Sequence, residues 1–501
     1  MIMKKLFSLL CSILILAAAP VFPARGEGQH APDFLMEGYD DANHDWETNL
    51  FFQRMQEETG ISFEFRQQTD AGVWKERKKG ILGGEDLPDV LFKAQLNAGE
   101  IRDMAAAGII IDLKPYLEIC APDLWALLQE KPEVMAAITL PDGSIPALPS
   151  VNELPNNELM WINTRWLAAL GLEMPTTAEE LTEVLRAFKS RDPNRNGKSD
   201  EVPLAFIGMW ELRFLSHAFG INDNDYYIHV RDGKVSSGLT TDGYRDFLTW
   251  LHQMWTENLM DHQGFVTMDT LRQITDSSAA IPYGVMLTST PLTVVPSAAL
   301  DQYSVLPALS FDGKTVYRDL LGSVTRGTFA ITSACKEPEK LVSWVNRLYT
   351  QEGSLLIQVG REGEEYLVNE DGSWDWIADL DTVANTVVPG STLSNGGAAP
   401  GVISVSFQQR YIDESTRRMV DEMMRGREHA EMPFPLVYLS REDEEKAAEL
   451  QARIAPYAEQ QLASFVTGDL ALTDENWAAF QNGLQERGLT DMIALWQKYI
   501  H

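Results

Sequence analysis

Residues 161–204 read WINTRWLAALGLEMPTTAEELTEVLRAFKSRDPNRNGKSDEVPL. An apolar run enters this stretch and another leaves it, so it parses as strand, helix, polar loop and strand again. Thr177 and Glu180 have the spacing of a capping box, and Leu181, Val184, Leu185 and Phe188 then repeat on one helical face. This helix is predicted to end at Arg191, just ahead of Asp192 and Pro193. VPLAF resumes as a strand of buried type.

The loop between them is unusually rich in oxygen. Asp192, Asn194, Asn196, Asp200 and Glu201 carry carboxylate or amide oxygens, and Gly197 sits where the chain must bend. Calcium takes six to eight hard oxygen ligands, which these side chains and the Lys198 carbonyl can supply. Two packed elements clamp the loop and lower the entropy cost of gathering its ligands. It begins like an EF-hand, yet the twelfth position, where that motif needs Glu, is Pro203. Only one helix flanks it. A bound calcium is therefore expected to act as a structural staple rather than a switch; the alternative is an Asx-rich turn without metal.

Outward from this stretch, short apolar runs alternate with amphipathic helices. FLMEGY, ISFEFRQ and PDVLFKA are strand-like, with NLFFQRMQEETG and AGEIRDMAAAG as helices between them. LMWIN, PLAFIG, AIPYGVML, YSVLPAL and GTFAITS follow as strands, and the chain turns mostly helical from about residue 405. The rhythm predicts an α/β fold with largely parallel sheets covered by helices. No Gly- or Ser-rich linker divides the chain, so its domains must share crossing segments.

The 501 residues are 45% hydrophobic and 23% charged, enough for two or three domains with substantial cores. A formal charge of −32 disfavours nucleic acid and anionic membrane surfaces. MIMKK, then the apolar run from Leu6 to Ala19, then Ala24, Arg25 and Gly26 form a secretory signal predicted to be cut near Gly26. Cys11 is a poor lipid acceptor because Leu10 precedes it where a small residue is needed. That leaves Cys120 and Cys335, either one disulfide or two free thiols. HExxH, GxSxG and GxxxxGK[ST] are all absent, and His252 and His262 read as surface or core residues rather than zinc ligands.

The opening stretch resembles the family-1 extracellular solute-binding proteins of ABC transporters, especially their oligosaccharide-binding, alginate-binding-protein-like branch. GILGGEDLPDVL, LPDGSIPALPS, WTENLMD, KEPEKLVSWVNRLYTQEGSLL, GREGEEYLVNEDG and NWAAFQNGLQERGL match in the expected order. The resemblance implies a two-lobed, periplasmic-binding-protein-like fold with parallel-rich sheets and a ligand cleft between the lobes. It also implies a structural calcium at the loop beginning at Asp192. Lobe one is expected to comprise residues 27–150 and 307–360, and lobe two 151–306 and 361–501 with a helical C-terminus; both mature cysteines then fall in lobe one. Gram-positive members are usually lipoproteins, and this chain departs from them in lacking a convincing lipid-acceptor cysteine.

The implied function is capture of a carbohydrate, expected to be an oligosaccharide, by hinge closure and delivery to a membrane permease. An exported monomer, outside the cell membrane or in the periplasm, is expected. Two alternatives stay open: a ligand-sensing subunit of a membrane receptor, and a secreted carbohydrate-active enzyme. Sugars present apolar faces and hydroxyl edges, so aromatic rings and a few polar side chains are the candidate contacts. Trp210 and Tyr39 follow strands at their carboxyl ends, where this kind of sheet binds ligands. Asn152 lies in the first crossing and Tyr283 on a strand near another. Arg361 and Trp374 flank the GREGEEY segment, which the resemblance puts near the cleft.

Overall fold

The computed structural model describes residues 31–154, 159–266, 272–276, 279–318, 323–394, 397–411, 413–425 and 430–500. The predicted export signal, residues 1–26 with Cys11, lies outside the described residues. The chain first lays down β1 (Phe34–Tyr39), β2 (Phe63–Gln68), β3 (Val90–Phe92) and β4 (Leu148–Asn152). It then crosses to β5 (Leu159–Asn163), β6 (Val202–Ala205), β7 (Tyr283–Thr288) and β8 (Tyr303–Val305), and returns for β9 (Ser323–Ile331) and β10 (Gly401–Ile403). One sheet has the order β10-β4-β9-β3-β1-β2 and the other β8-β5-β7-β6.

Both sheets are mixed, a departure from the largely parallel arrangement the βαβ rhythm suggests. β1 pairs in parallel with β2 and β3, β4 with β10, and β6 with β7. β9 runs antiparallel to β3 and β4, and β5 antiparallel to β7 and β8. The cause is the crossing itself. β5 and β9 are each the first strand after a passage between lobes, so they start at the edge where their neighbours finish.

Each sheet has its own core. Met36, Trp46, Phe92, Phe329 and Trp344 are buried together in lobe one, and Trp161, Leu181, Phe188, Phe206, Leu450 and Phe480 in lobe two. Burying side chains of this size contributes about 1.5–3 kcal/mol each. These cores correct the expected boundaries. Leu306 and Leu309 belong to lobe two's core, and Val316 N–H donates to the His217 carbonyl there, so 307–318 stays with lobe two. Leu393 and Ala399 belong to lobe one's core and β10 pairs with β4, so much of 361–403 stays with lobe one. The first crossing, between β4 and β5, lies where the sequence reading puts it; the later two do not, because which sheet each returning segment joins depends on pairing with strands hundreds of residues away.

The opening stretch folds as a clamp. Asn163 caps helix Thr164–Leu170 by accepting from Trp166 N–H, and Gly171 ends it. Thr177 accepts from Glu180 N–H at the start of helix Ala178–Ser190, and Arg191 is its C-cap. The box is displaced by one residue, because the Glu180 carboxylate accepts from the N–H and hydroxyl of Thr176 at 2.8 and 2.9 Å. Phe188 seals the helix onto β7. A Cβ at Gly284 would stand 2.5 Å from its ring, so glycine is required there.

Cys120 and Cys335 are both free thiols at the margin of lobe one's core, and burial pushes the Cys335 pKa up to about 11. Among the described residues no helix is long and apolar enough to cross a membrane.

Candidate functional site

β1, β3 and β4 end on the side of lobe one where the chain crosses to lobe two, and β9 begins there. Just past β3, Lys93 and Gln95 both hold left-handed backbone conformations, with φ of 47° and 50°. Side chains with a Cβ resist that region, and such strain concentrates at ligand clamps and switches. The two turns send Lys93 inward and leave Gln95 exposed.

Lys93 Nζ donates to Asp40 Oδ1 at 2.7 Å and to the Leu393 carbonyl at 3.3 Å, with both charged side chains fully buried. Asp40 also accepts from Trp46 Nε1 and Asp41 N–H and bonds His44 Nδ1. Burial pulls the Lys93 pKa down and the Asp40 carboxylate opposes it. This network ties β1, β3 and the segment before β10 into one floor.

Above the floor lies a cavity of about 560 Å³, bordered by Gln95, Asn97, Thr325, Arg326, Gly397 and Leu436. Gly397 has φ 105°, and a Cβ there would stand 2.0 Å from Gln95 Nε2. The carboxamide therefore rests directly on bare backbone. Arg326 Nη1 donates to the Val437 carbonyl at 3.2 Å, and its guanidinium lies 4.3 Å from the centre of the Tyr438 ring.

On lobe two, β6 and β7 end beside Leu159, where the crossing enters. Trp210 follows β6 in helix Gly208–Leu212 and is 45% exposed, an unusual state for so large an apolar ring. Next to it, buried Glu211 accepts from Ile207 N–H and pairs with both terminal nitrogens of buried Arg272 at 3.2 and 3.3 Å. The ring is thus mounted on a fixed turn.

Three of the six expected ligand contacts stand at such strand ends. Besides Trp210 they are Tyr39, half-buried at the end of β1, and Asn152, whose Oδ1 accepts from Leu154 N–H as the chain leaves β4. The other three are placed elsewhere. Tyr283 opens β7 at its amino end, buried, with its hydroxyl donating to the Arg272 carbonyl. Arg361 pairs with Glu58 in the last turn of helix Leu50–Thr59, which runs back from the carboxyl end of β1. That puts it at the far end of lobe one, beside a separate cavity of about 420 Å³. Trp374 is buried, stacked on Phe407 at 4.5 Å with Nε1 donating to the Phe407 carbonyl. It is core, because a ring with both face and N–H satisfied inside has nothing left for ligand. Gln95, Asn97 and Arg326 were not singled out by sequence, although Gln95 and Asn97 follow a strand end as Tyr39 does.

The oxygen-rich loop is well ordered by its own side chains. Asp192 (φ 44°) accepts from Asn196 and Gly197 N–H, each at 3.1 Å, and Asn196 Oδ1 accepts from Lys198 N–H. Asn196 Nδ2 donates to both Asp200 oxygens, and Asn194 Oδ1 accepts from Asn196 N–H. Glu201 Oε1 is buried without a hydrogen-bond partner. Burial, then the Asp192 and Asp200 charges, push the Glu201 pKa up. Three carboxylates thus crowd one loop, and one buried oxygen has no donor; a hard cation fits that donor set. Among the described residues no three His, Cys, Asp or Glu groups converge as a metal cage on their own. The fit therefore depends on the Asn194 and Asn196 amides and the Lys198 carbonyl as well, with the Asn196 amide turned to present oxygen.

No protein-family model matches the sequence. The chain is 30% identical over 483 residues to the fructooligosaccharide ABC transporter substrate-binding protein FusA of Streptococcus pneumoniae, covering 90% of this chain and 86% of that protein. It belongs to the ABC-transporter substrate-binding proteins. Solved structures of FusA agree: with kestose bound, the TM-score is 0.68 at 26% identity, covering 93% of this chain and 98% of that one. FusA has also been solved as an EF-hand mutant in complex with fructo-nystose, with the same TM-score, identity and coverage. A human-milk-oligosaccharide-binding, transporter-associated protein of Bifidobacterium longum infantis shares the fold, with a TM-score of 0.77 at 22% identity over 94% of this chain and 99% of that one. As a substrate-binding protein the chain is a transport component and not an enzyme.

Proposed function

We propose that this protein captures an oligosaccharide between its lobes and presents it, closed, to the membrane permease of an ABC transporter. The observation that carries the reading is the near full-length similarity to FusA combined with an open cavity at the carboxyl ends of lobe one. The exposed Trp210 ring offers lobe two's stacking surface; Gln95 and Asn97 offer the hydrogen bonds that orient hydroxyls. Tyr39 and Asn152 complete the strand-end set.

Asp192, Asn194, Asn196, the Lys198 carbonyl, Asp200 and Glu201 hold one calcium ion in this reading. Calcium would supply counter-charge to the crowded carboxylates and tie helix Ala178–Ser190 to β6. The reading also includes export as a monomer, with the permease as partner. Native mass spectrometry of the mature protein against neutral and acidic oligosaccharides of two to five rings tests the central part. One bound glycan per chain is expected; no bound glycan of either kind rejects the reading.

A further inference from the structure

Arg326, half-buried, is treated unlike the fully buried charges of the fold. Its Nη1 has the Val437 carbonyl, but Nε and Nη2 are covered by protein and meet no hydrogen-bond acceptor. The nearby group of opposite character is the Tyr438 ring, whose own hydroxyl is buried and unpartnered. Burial pulls the guanidinium pKa down, opposed by the Tyr438 hydroxyl and, among the described residues, by no carboxylate. A desolvated cation left in this state is costly, by several-fold more than a buried neutral group.

The surroundings sharpen the point. The chain has 73 acidic residues, yet among the described residues that border the 560 Å³ cavity none is acidic and Arg326 is the sole ionisable group. Carboxylates crowd the rest of a molecule of formal charge −32 but are kept out of these walls. The two unpartnered nitrogens, Nε and Nη2, form one edge of the guanidinium fork. That edge matches the two oxygens of a carboxylate with parallel hydrogen bonds.

We propose that the cleft selects an acidic oligosaccharide, with a ring carboxylate seated on the Nε–Nη2 edge of Arg326. The inference rests on the oligosaccharide-binding reading above and narrows its substrate class. Leu436, Val437 and Tyr438 lie on the segment leading into lobe two's helix Arg441–Thr467, and Leu436 is 41% exposed on the cavity rim. Seating a carboxylate there requires that segment to shift and uncover the edge, which would couple recognition of the charge to the relative position of the lobes. The broadly acidic surface opposes anionic ligands, polyanions most, so Arg326 supplies the local counter-charge.

The test is titration calorimetry of the mature protein with uronate-containing oligosaccharides of two to five rings, their methyl esters, and neutral fructans and maltooligosaccharides. Binding of a carboxylated oligomer at least tenfold tighter than its methyl ester, weakening with added salt, is expected. Arg326→Met should remove at least tenfold of that preference by weakening the acid more than the ester, and Arg326→Lys should restore only part of it. Tight binding of neutral oligosaccharides alone overturns this proposal and leaves the parent reading intact. Binding of none of them overturns both. Equal loss of acid and ester binding in Arg326→Met, with an unchanged melting temperature, reduces Arg326 to a packing role and also overturns it.

Discussion

Lys93 and Arg326 are cations on neighbouring strand segments of lobe one, and the fold handles them in opposite ways. Lys93 is fully buried and has its carboxylate, Asp40, at 2.7 Å, which is in turn held by Trp46, His44 and Asp41 N–H. Arg326 borders the cavity with an aromatic ring and one carbonyl as partners, and its Nε and Nη2 are covered by protein and unmatched. A buried charge that shapes structure is compensated within the chain. One left uncompensated beside a cavity is a charge waiting for a partner from outside. The floor and the wall of one cleft thus separate scaffold from recognition.

The largest effect should come from breaking the compensated pair. Asp40→Ala leaves the buried Lys93 ammonium without its carboxylate and should cost about 3–5 kcal/mol in urea unfolding. Replacing both, as Asp40→Leu with Lys93→Met, should recover much of that loss. A single variant as stable as wild type would erase the contrast with Arg326.

Next in size is the oxygen-rich loop, a second place where a buried oxygen lacks a partner among the described residues. Calcium at a hundredfold excess over its dissociation constant should stabilise by about 2.7 kcal/mol, read as a melting temperature that falls with chelator. The pH dependence has a definite sign. Glu201 holds its proton to higher pH in the folded state than in the unfolded chain. Without calcium, the Glu201 contribution to stability is therefore greatest below the ordinary carboxylate range and declines as pH rises through the raised value. Calcium should cancel that decline; identical melting curves with chelator and with calcium across this range would count against the site.

Trp210→Ala should weaken glycan binding by about 1–3 kcal/mol, ten- to a hundredfold, with little change in melting temperature. Arg361→Gln should do least. Its partners Glu58 and Glu364 are surface carboxylates, at 3.3 and 3.4 Å, so stability should change by about 0.5 kcal/mol or less, and glycan affinity not at all. A large affinity loss at Arg361 would place the site at the wrong end of lobe one.

How much was legible in the sequence depended on distance along the chain. The capping residue Thr177, the helix face of Leu181 and Phe188, and the strand LMWIN are local patterns and were read nearly to the residue. The oxygen-rich loop is equally local, because its oxygens lie within ten consecutive positions. The membership of β10 was not legible, since Gly401–Ile403 acquires strand character by pairing with β4, some 250 residues earlier. Trp374 and Tyr283 looked like candidate platforms because a sequence shows an aromatic ring but not whether Phe407 or the Arg272 carbonyl already occupies it. Arg326 was invisible for the complementary reason: nothing in SVTRGTFAI says that, among the described residues, the arginine meets no carboxylate.

The central claim is that the two lobes close on an oligosaccharide held at the carboxyl ends of their strands. Small-angle scattering of the mature protein, with and without the glycan identified by native mass spectrometry, tests it most directly. The radius of gyration should fall at saturating glycan, and Trp210→Ala should shift the midpoint of that change to higher glycan concentration. A radius unchanged at saturation, with the glycan demonstrably bound, would contradict capture between moving lobes.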